Sequence, residues 1–343
     1  MRRACDIRRR RVRGRRIASL LVSVVCSLVL AFCMCACSLS DVNEQGQQFG
    51  KAMDGLVSGG SQPAGNPGGG SAEDAAAPIA TDSVYASFDD GAAVSVGAAR
   101  VDTSHVAQGY LGVKMSDEGT FKVRLEKDET YTYDLSSDGT PNYYPLQMGD
   151  GTYKLTVYRN VTGNKYSTEG TKNIDVKLDN EFQPFMHPNV FSSYDEKSAA
   201  VAQAQSLCAG LSTDTEKVSV IYQWLSKTIR YDYDFAKNPG NGYVPDPDRT
   251  LSTKKGICFD YASLAAAMIR SQQIPCKLIT GYVQPNDIYH SWNMVYLQDK
   301  GWITTSIQAS VDEWGRIDVT FEATGGDAQF VGNGSNYTTR YTY

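Results

Sequence analysis

Three side chains in the second half of the sequence have the types needed for a thiol acyl-transfer site. Cys258 lies at the start of a predicted helix, His290 follows in a stretch rich in aromatic residues, and Asp318 comes later, four residues after Trp314. In such a site a thiol attacks an amide carbonyl, an imidazole accepts and returns the proton, and a carboxylate orients the imidazole. The residue types therefore predict a cysteine enzyme, provided that the fold brings them together.

The position of Cys258 at the beginning of a helix favours an ionised thiol. The first turn of a helix has unpaired N–H groups and the positive end of the helix dipole, and both stabilise a thiolate. A protonated His290 would lower the thiol pKa further, and the N–H of Cys258 would supply one oxyanion donor. No pattern marks the second donor. Asp260, two residues into the helix, is interpreted as stabilising the helix N-terminus rather than as the catalytic acid.

The elements that must position these residues are helices followed by strands. An alanine-rich helix is predicted over residues 196–209, and Thr213 and Glu216 have the spacing of a capping box ahead of an apolar helical stripe. Strands are predicted at Lys277–Val283, Ile288–Leu297, Gly301–Ile307 and Trp314–Phe321. Helices followed by an antiparallel sheet predict an α+β domain over residues 184–343.

Residues 93–183 carry a different pattern, in which short alternating runs are separated by turn residues. Thr120–Leu125 and Thr130–Leu135 are clear examples. This pattern predicts a small all-β, sandwich-like domain, which we interpret as a spacer or binding module because no titratable cluster occurs in it. His105 is isolated there and His187 lies in a loop, so neither is expected to be catalytic.

The N-terminus predicts export from the cytoplasm. Residues 1–36 contain nine arginines followed by a short apolar run, which is the organisation of a signal peptide; a membrane-spanning anchor is the alternative, although the run is short for a full span. Ala36-Cys37 resembles the end of the bacterial lipobox. That resemblance implies a lipid on Cys37 and anchoring at the extracellular face of the membrane, with plain secretory cleavage as the alternative. Residues 37–92 are rich in Gly, Ser, Ala and Pro and predict a disordered tether.

Charge and cysteine usage depend on this predicted cleavage. The chain has 33 basic and 38 acidic residues, and removal of residues 1–36 takes away nine arginines and one aspartate, which leaves 24 and 37, a net charge of −13. Such a surface has no electrostatic reason to bind nucleic acid.

Four of the eight cysteines remain after cleavage. With Cys37 lipidated, Cys258 would be the free thiol, and Cys208 and Cys276 would form a disulfide or remain as two buried thiols. No zinc-ligand spacing or Gly-rich phosphate loop occurs, so no metal or cofactor is predicted.

Residues from about 214 to 322 resemble the transglutaminase-like superfamily, whose papain-related core includes cysteine proteases and transglutaminases. The resemblance rests on several stretches taken together: residues 255–262, 270–275, 280–283, 290–293 and 314–320. It implies a core of helices packed on an antiparallel sheet, with Cys258 as the nucleophile and His290 as the base. The β-rich region ahead of the core is similar to that of Gram-positive surface lipoproteins.

The resemblance leaves the catalytic acid open between two positions. In the family the carboxylate lies four residues past a tryptophan in the strand that follows the histidine strand, and after Trp302 that position is Ser306. The same spacing recurs at Trp314 and Asp318. An extra strand over Gly301–Ile307 would reconcile the two, and we favour Asp318, with loss of the acid at Ser306 as the alternative.

Together these features predict a lipid-anchored cysteine peptidase or amidase that forms a thioester and releases it to water. The substrate would be a peptide, protein or cell-wall amide. Transfer to a lysine amine, as in a transglutaminase, uses the same triad and is the first alternative. A catalytically degenerate binding or adhesion module is the second. The sequence leaves the oligomeric state open.

Overall fold

The computed structural model describes residues 83–283, 287–298, 301–309, 317–321 and 337–343, with the backbone alone at 288, 306–309 and 317–321. The predicted signal peptide, the lipidation site at Cys37 and most of the predicted tether lie outside the described residues. None of the helices in the described part of the chain combines the length and hydropathy that crossing a bilayer requires.

The described chain begins with two antiparallel sheets. In order, their strands are β1 (Val94–Val96), β2 (Ala99–Asp102), β3 (Tyr110–Lys114), β4 (Phe121–Glu126), β5 (Thr130–Leu135), β6 (Asn142–Pro145), β7 (Gly151–Thr162) and β8 (Lys165–Val176). The sheet orders are β1-β2-β3-β6 and β5-β4-β7-β8. In β4, Phe121, Val123 and Leu125 are buried and alternate with half-buried polar residues, which is the pattern of a strand with one face on a core. The predicted all-β region is confirmed.

Helices and a second, larger sheet follow. The helical elements are a 3-10 turn (Gln183–Phe185), α1 (Ala199–Cys208), α2 (Asp214–Thr228), α3 (Tyr233–Ala236), α4 (Pro247–Thr253) and α5 (Cys258–Arg270). The strands are β9 (Arg230–Tyr231), β10 (Lys255–Gly256), β11 (Cys276–Val283), β12 (Ile288–Leu297), β13 (Gly301–Ala309), β14 (Ile317–Phe321) and β15 (Tyr337–Thr342). The capping box ahead of α2 is confirmed, because Thr213 Oγ1 accepts the Glu216 N–H at 3.2 Å and Glu216 Oε2 accepts the Thr213 N–H at 3.1 Å.

The central helix α5 packs on the five-stranded sheet, whose order is β14-β13-β12-β11-β15. All thirteen residues of α5 are buried, and its alanines allow the backbone to lie close to the strands. Arg270 at its C-terminal end is also fully buried and donates to the carbonyls of His187, Cys276 and Tyr343 at 2.8–2.9 Å. A buried guanidinium is tolerated there because three acceptors replace water. The predicted α+β fold is confirmed, and the predicted extra strand is β13.

An aromatic cluster joins the β region to the helical part. The ring of Phe191 lies 5.9 Å from that of Tyr133 in β5, 5.5 Å from that of Phe259 in α5 and 4.6 Å from that of Tyr343. All four side chains belong to one continuous buried core. The β region therefore shares its core with the helices instead of forming a separate spacer.

We expect Phe191→Ala to destabilise both parts of the protein together. The change removes an aromatic ring that is 2% exposed and leaves a cavity at the junction, which typically costs about 3–5 kcal/mol of unfolding free energy. Urea unfolding followed separately by far-UV circular dichroism and tyrosine fluorescence should show one transition at a lower midpoint. Val161→Ala, at a site that is 65% exposed, is the control and should leave the midpoint unchanged. Two separate transitions in Phe191→Ala would contradict a shared core.

Of the two states that the sequence left open for Cys208 and Cys276, the structure has the free thiols and not the disulfide. Cys208, Cys258 and Cys276 are all free and buried. Cys208 ends α1 on the side of Lys217, whereas Cys276 begins β11 beside Arg270 and Asn293. The two sulfurs thus have different neighbours, and both behave as small core residues, which was the alternative interpretation.

Candidate active site

Cys258 lies where α5 meets a short two-stranded sheet. It is the first residue of α5, and β10 directly before it pairs in parallel with β9, which sets Gly256 opposite Tyr231. Gly256 has no room for a side chain, because a Cβ there would lie 2.6 Å from the Cβ of Asp260. The pairing with β9 and this close approach together position the first turn of α5.

Asp260 ties that first turn to the preceding loop. Its Oδ2 accepts the Ile257 N–H at 2.8 Å, its Oδ1 accepts the Tyr243 hydroxyl, and the Arg249 guanidinium is 3.8 Å from Oδ1. Burial raises the pKa of Asp260 above its ordinary value, although these donors oppose the effect. The interpretation of Asp260 as a residue that stabilises the helix N-terminus is confirmed.

The Cys258 thiol is enclosed by hydrogen-bond donors. The Ser291 N–H, the Ser291 hydroxyl and the Phe259 N–H all lie toward the sulfur, where each favours the thiolate. The side chain is nevertheless only 6% exposed. Removal from water dominates, and burial raises the pKa of the Cys258 thiol to about 11. The predicted ionised thiol is therefore wrong for this conformation, because desolvation outweighs the helix terminus.

His290 lies in β12, directly before Ser291. It is opposite Gly281 of β11 in the sheet register, and the next residue along the strand is Ser291. Burial lowers the pKa of His290 to about 4. The structure thus brings Cys258 to the strand segment that carries the predicted base, with both groups in their neutral forms near neutral pH.

The two candidate acid positions lie farther along the same sheet. In the pairing of β13 with β14, Ser306 is opposite Thr320 and Gln308 is opposite Asp318. The pairing of β12 with β13 runs from Leu297 opposite Gly301 to Asn293 opposite Thr305. Continued by three residues, that register would align His290, Gln308 and Asp318 across three strands. Asp318 is therefore one strand farther from the histidine strand than Ser306, and their side chains lie outside the described atoms.

Sequence reasoning missed Tyr231. The Tyr231 phenol lies toward both the N–H and the thiol of Cys258. An N–H and a phenol that meet beside the sulfur have the arrangement of an oxyanion hole with its second donor. No local pattern could have marked this tyrosine, because its contact with Cys258 depends on the pairing of β9 with β10.

The remaining histidines lie away from the thiol. His105 stacks on Tyr110 with ring centroids 5.0 Å apart and contacts Ser87 through Nε2 at 3.0 Å. His187 lies 5.0 Å from the same tyrosine ring, and its Nε2 is 3.4 Å from Gln183 Oε1. Within the described residues, no group of three or more His, Cys, Asp or Glu side chains is arranged to hold a metal ion.

We expect His187 to make the protein less stable in acid. Burial lowers its pKa to about 4, below the unfolded value of about 6.5, so the unfolded chain binds more protons between these values. Its contribution is fully present above about pH 6.5 and is lost as the pH falls toward 4. Urea midpoints measured across this window should fall less steeply for His187→Gln than for wild type. Val161→Ala, at a site that is 65% exposed, is the control and should keep the wild-type slope, whereas an unchanged slope in His187→Gln would contradict the assignment.

Comparison with known proteins finds a family match for part of the chain. Residues 201–307 match the model of the Transglutaminase-like superfamily. This stretch of the chain is similar to a transglutaminase-like core. It contains both Cys258 and His290, and it ends at β13, before the strand that carries Asp318.

The chain has relatives of low identity. It is 29% identical over 100 residues to a UPF0252 protein of Methanocaldococcus jannaschii, and the match covers 27% of each chain. It is 28% identical over 118 residues to the kyphoscoliosis peptidase of Mus musculus, and that match covers 32% of this chain and 17% of the relative. The chain thus spans less than a third of either relative. A solved structure of a candidate cysteine protease from Cytophaga hutchinsonii has a TM-score of 0.34 and 13% identity, covering 66% of this chain and 89% of its own.

Proposed function

We propose that this protein is a cysteine peptidase or amidase that cleaves an amide through a thioester on Cys258. The observation that carries the proposal is the meeting of a helix-terminal thiol, its own N–H and the Tyr231 phenol at one point. A tyrosine that only packed against a cysteine in the core would not have to lie against both the N–H and the thiol of that cysteine. The substrate class is a peptide, a protein or a cell-wall amide.

The roles follow from the positions of the groups. His290 takes the proton from Cys258, and the sulfur attacks the carbonyl carbon. The developing oxyanion accepts hydrogen bonds from the Cys258 N–H and the Tyr231 hydroxyl. The C–N bond then breaks, the amine leaves with the proton returned by His290, and a thioester remains. Water attacks the thioester with His290 as base, releasing a carboxylic acid and the free thiol. Asp318 is the proposed orienting acid.

The same groups suggest that the site must open for substrate. In this structure the Tyr231 phenol lies against the Cys258 N–H, and Cys258 is 6% exposed. A substrate carbonyl would replace the phenol as acceptor of that N–H, and the phenol would turn to donate to the same oxygen. Expulsion of water from the closed site would strengthen both hydrogen bonds.

One assay distinguishes water from an amine as the acceptor of the acyl group. Purified protein is incubated with a glutamine- and amide-containing peptide library, with and without a fluorescent primary amine, and products are identified by mass spectrometry. Loss of an amine with gain of water indicates hydrolysis, whereas incorporation of the fluorescent amine indicates transamidation. Cys258→Ala should lose either activity. Product formation that persists in Cys258→Ala would contradict the proposal. If the wild-type protein gives no product, the result favours the catalytically degenerate binding module.

The identity of the acid is tested by a matched pair of substitutions. Asp318→Asn removes the charge with little change of shape, and Ser306→Ala removes the hydroxyl at the competing position. If Asp318 orients His290, we expect Asp318→Asn alone to reduce kcat strongly. A loss confined to Ser306→Ala would assign the third position to the serine.

We also propose that the protein is held at the extracellular face of the cell membrane by a lipid on Cys37. The motif at Ala36-Cys37 and the preceding basic and apolar segments support this. Metabolic labelling with an alkyne fatty acid should mark wild type but not Cys37→Ser. Equal labelling of the two would contradict lipidation at this residue.

A further inference from the structure

The contact between Ser291 and Cys258 occurs where one strand pairing stops. The pairing of β12 with β13 ends at Asn293 opposite Thr305. N–H groups along a strand alternate between its two edges, so Ser291 and Asn293 direct theirs to the same edge. Beyond the end of the pairing, Ser291 and Cys258 line the same small cavity, and the Ser291 N–H lies toward the sulfur, where it favours the thiolate. The sulfur thus takes the place that a strand carbonyl would otherwise occupy.

The Ser291 hydroxyl lies at the same cavity as the Cys258 sulfur and has no hydrogen-bond partner among the described residues. The side chain is 3% exposed, and its Oγ is buried without a hydrogen bond of ordinary geometry. It lies toward Cys258, beside a cavity of about 10 Å3 whose walls include Tyr222, Tyr261 and Asn293. A buried polar group without a partner costs stability, and such a cost is often retained where the group has a function.

We propose that Ser291 is a catalytic residue whose N–H and hydroxyl hold the Cys258 sulfur as a thiolate during acyl transfer. The inference rests on the proposed function in taking Cys258 as the nucleophile. When His290 accepts the proton, the S–H bond breaks and its electron pair remains on sulfur. The hydroxyl then donates to that sulfur, which gives its unpaired hydrogen a partner only in the ionised state.

The electrostatics around the sulfur explain why such donors are needed. Asp260 on α5 raises the thiol pKa, and burial raises it more strongly. Tyr231 from β9 and Tyr222 from α2 are neutral, and His290 in β12 is neutral until it accepts the proton. Hydrogen bonds to an ion are about twice as strong as those between neutral groups, so two donors from one residue offset a substantial part of the desolvation cost.

The test compares two side chains of the same shape. Ser291→Thr keeps the hydroxyl, and Ser291→Val replaces it with a methyl group. Full-length protein is alkylated with iodoacetamide from pH 6 to pH 11, and the rate at Cys258 is read by peptide mass spectrometry. The midpoint is obtained by fitting these rates with the upper plateau fixed at the rate of a fully ionised model thiolate. We expect the midpoint in Ser291→Val to lie about one pH unit above that in Ser291→Thr. The rate at pH 8 should fall about three- to fourfold, because the thiolate fraction drops tenfold while the remaining thiolate becomes more nucleophilic.

The control is a second hydroxyl with the same burial. Ser263 Oγ in α5 is also buried without a hydrogen bond, and Ser263 does not line the cavity that Cys258 and Ser291 share. Ser263→Ala should leave the midpoint unchanged. Equal midpoints for the Thr and Val variants, or an equal shift in Ser263→Ala, would overturn the role of Ser291. Ser291→Ala provides the same comparison with a smaller side chain if near-UV circular dichroism shows that Val disturbs the core.

The two proposals fail separately. Amide cleavage that is lost in Cys258→Ala supports the proposed function whatever the Ser291 variants show. If the alkylation midpoint depends on Ser291 but the protein cleaves no amide, Ser291 stabilises the thiolate without a role in catalysis. That result overturns the inference as stated. A Ser291→Val variant with both an unshifted midpoint and wild-type turnover would overturn the inference alone.

Discussion

Cys258→Ala is expected to reduce amide hydrolysis by roughly 10⁴-fold or more, the largest effect of any single substitution. Removal of the nucleophile from a covalent mechanism leaves the residual catalysis that binding and the oxyanion donors supply. The Cys258 side chain is small, so its replacement by alanine should change the folding stability little. The measurement is kcat/KM on the substrate found in the product assay, together with loss of thiol-probe labelling at the peptide that contains residue 258.

Cys208→Ala is the matched control for this substitution. Cys208 and Cys258 are both free thiols, and each is 6% exposed. If hydrolysis depends on the position of one thiol, Cys208→Ala should retain wild-type kcat/KM. An equal loss of activity in both variants would indicate that a general effect of cysteine removal, rather than nucleophilic attack, had been measured.

Tyr231→Phe is expected to lower kcat by about 10²–10³-fold with little change in KM. A donor that contacts the substrate oxygen mainly when it becomes an oxyanion contributes to the transition state and not to substrate binding. The substitution removes one oxygen atom and keeps the ring, so the urea midpoint should stay close to that of wild type. Alkylation of Cys258 by iodoacetamide should also persist, because that reaction forms no oxyanion.

Tyr233→Phe is the control for the phenol. The Tyr233 ring lies 5.0 Å from that of Tyr231, but its side chain is 44% exposed. We expect the Tyr233→Phe variant to hydrolyse substrate at the wild-type rate. If Tyr231→Phe instead raised KM and left kcat unchanged, the phenol would be a ground-state binding group, and the second oxyanion donor would have to be sought elsewhere.

Local patterns predicted the elements of this protein well. Phe121, Val123 and Leu125 alternate with polar residues and form β4, and the capping box at Thr213 and Glu216 begins α2 as expected. The alanine-rich segment predicted over residues 196–209 placed α1 to within a few residues. These features depend on neighbours in sequence, which is why a pattern of residue types was sufficient.

The protonation state of the candidate site could not be predicted in the same way. A helix N-terminus favours a thiolate, and that local effect is visible in the sequence. Burial of Cys258 depends on contacts with β9 and β12, which are remote in sequence, and in this conformation burial is the stronger influence. The same limit applies to the proposed Cys208–Cys276 disulfide, since spacing in the chain says nothing about which side chains face each other.

The sequence by itself determined that Cys258 begins a helix, that His290 lies in a strand after it, and that an all-β region precedes an α+β core. Its residues also sufficed for the resemblance to the transglutaminase-like superfamily. Only the tertiary structure decided which groups surround the sulfur. Tyr231 reaches it through the pairing of β9 with β10, and Ser291 through the end of the pairing between β12 and β13. Hydrogen-bond partners and desolvation are properties of segments brought together in space, so they emerge only when the chain has folded.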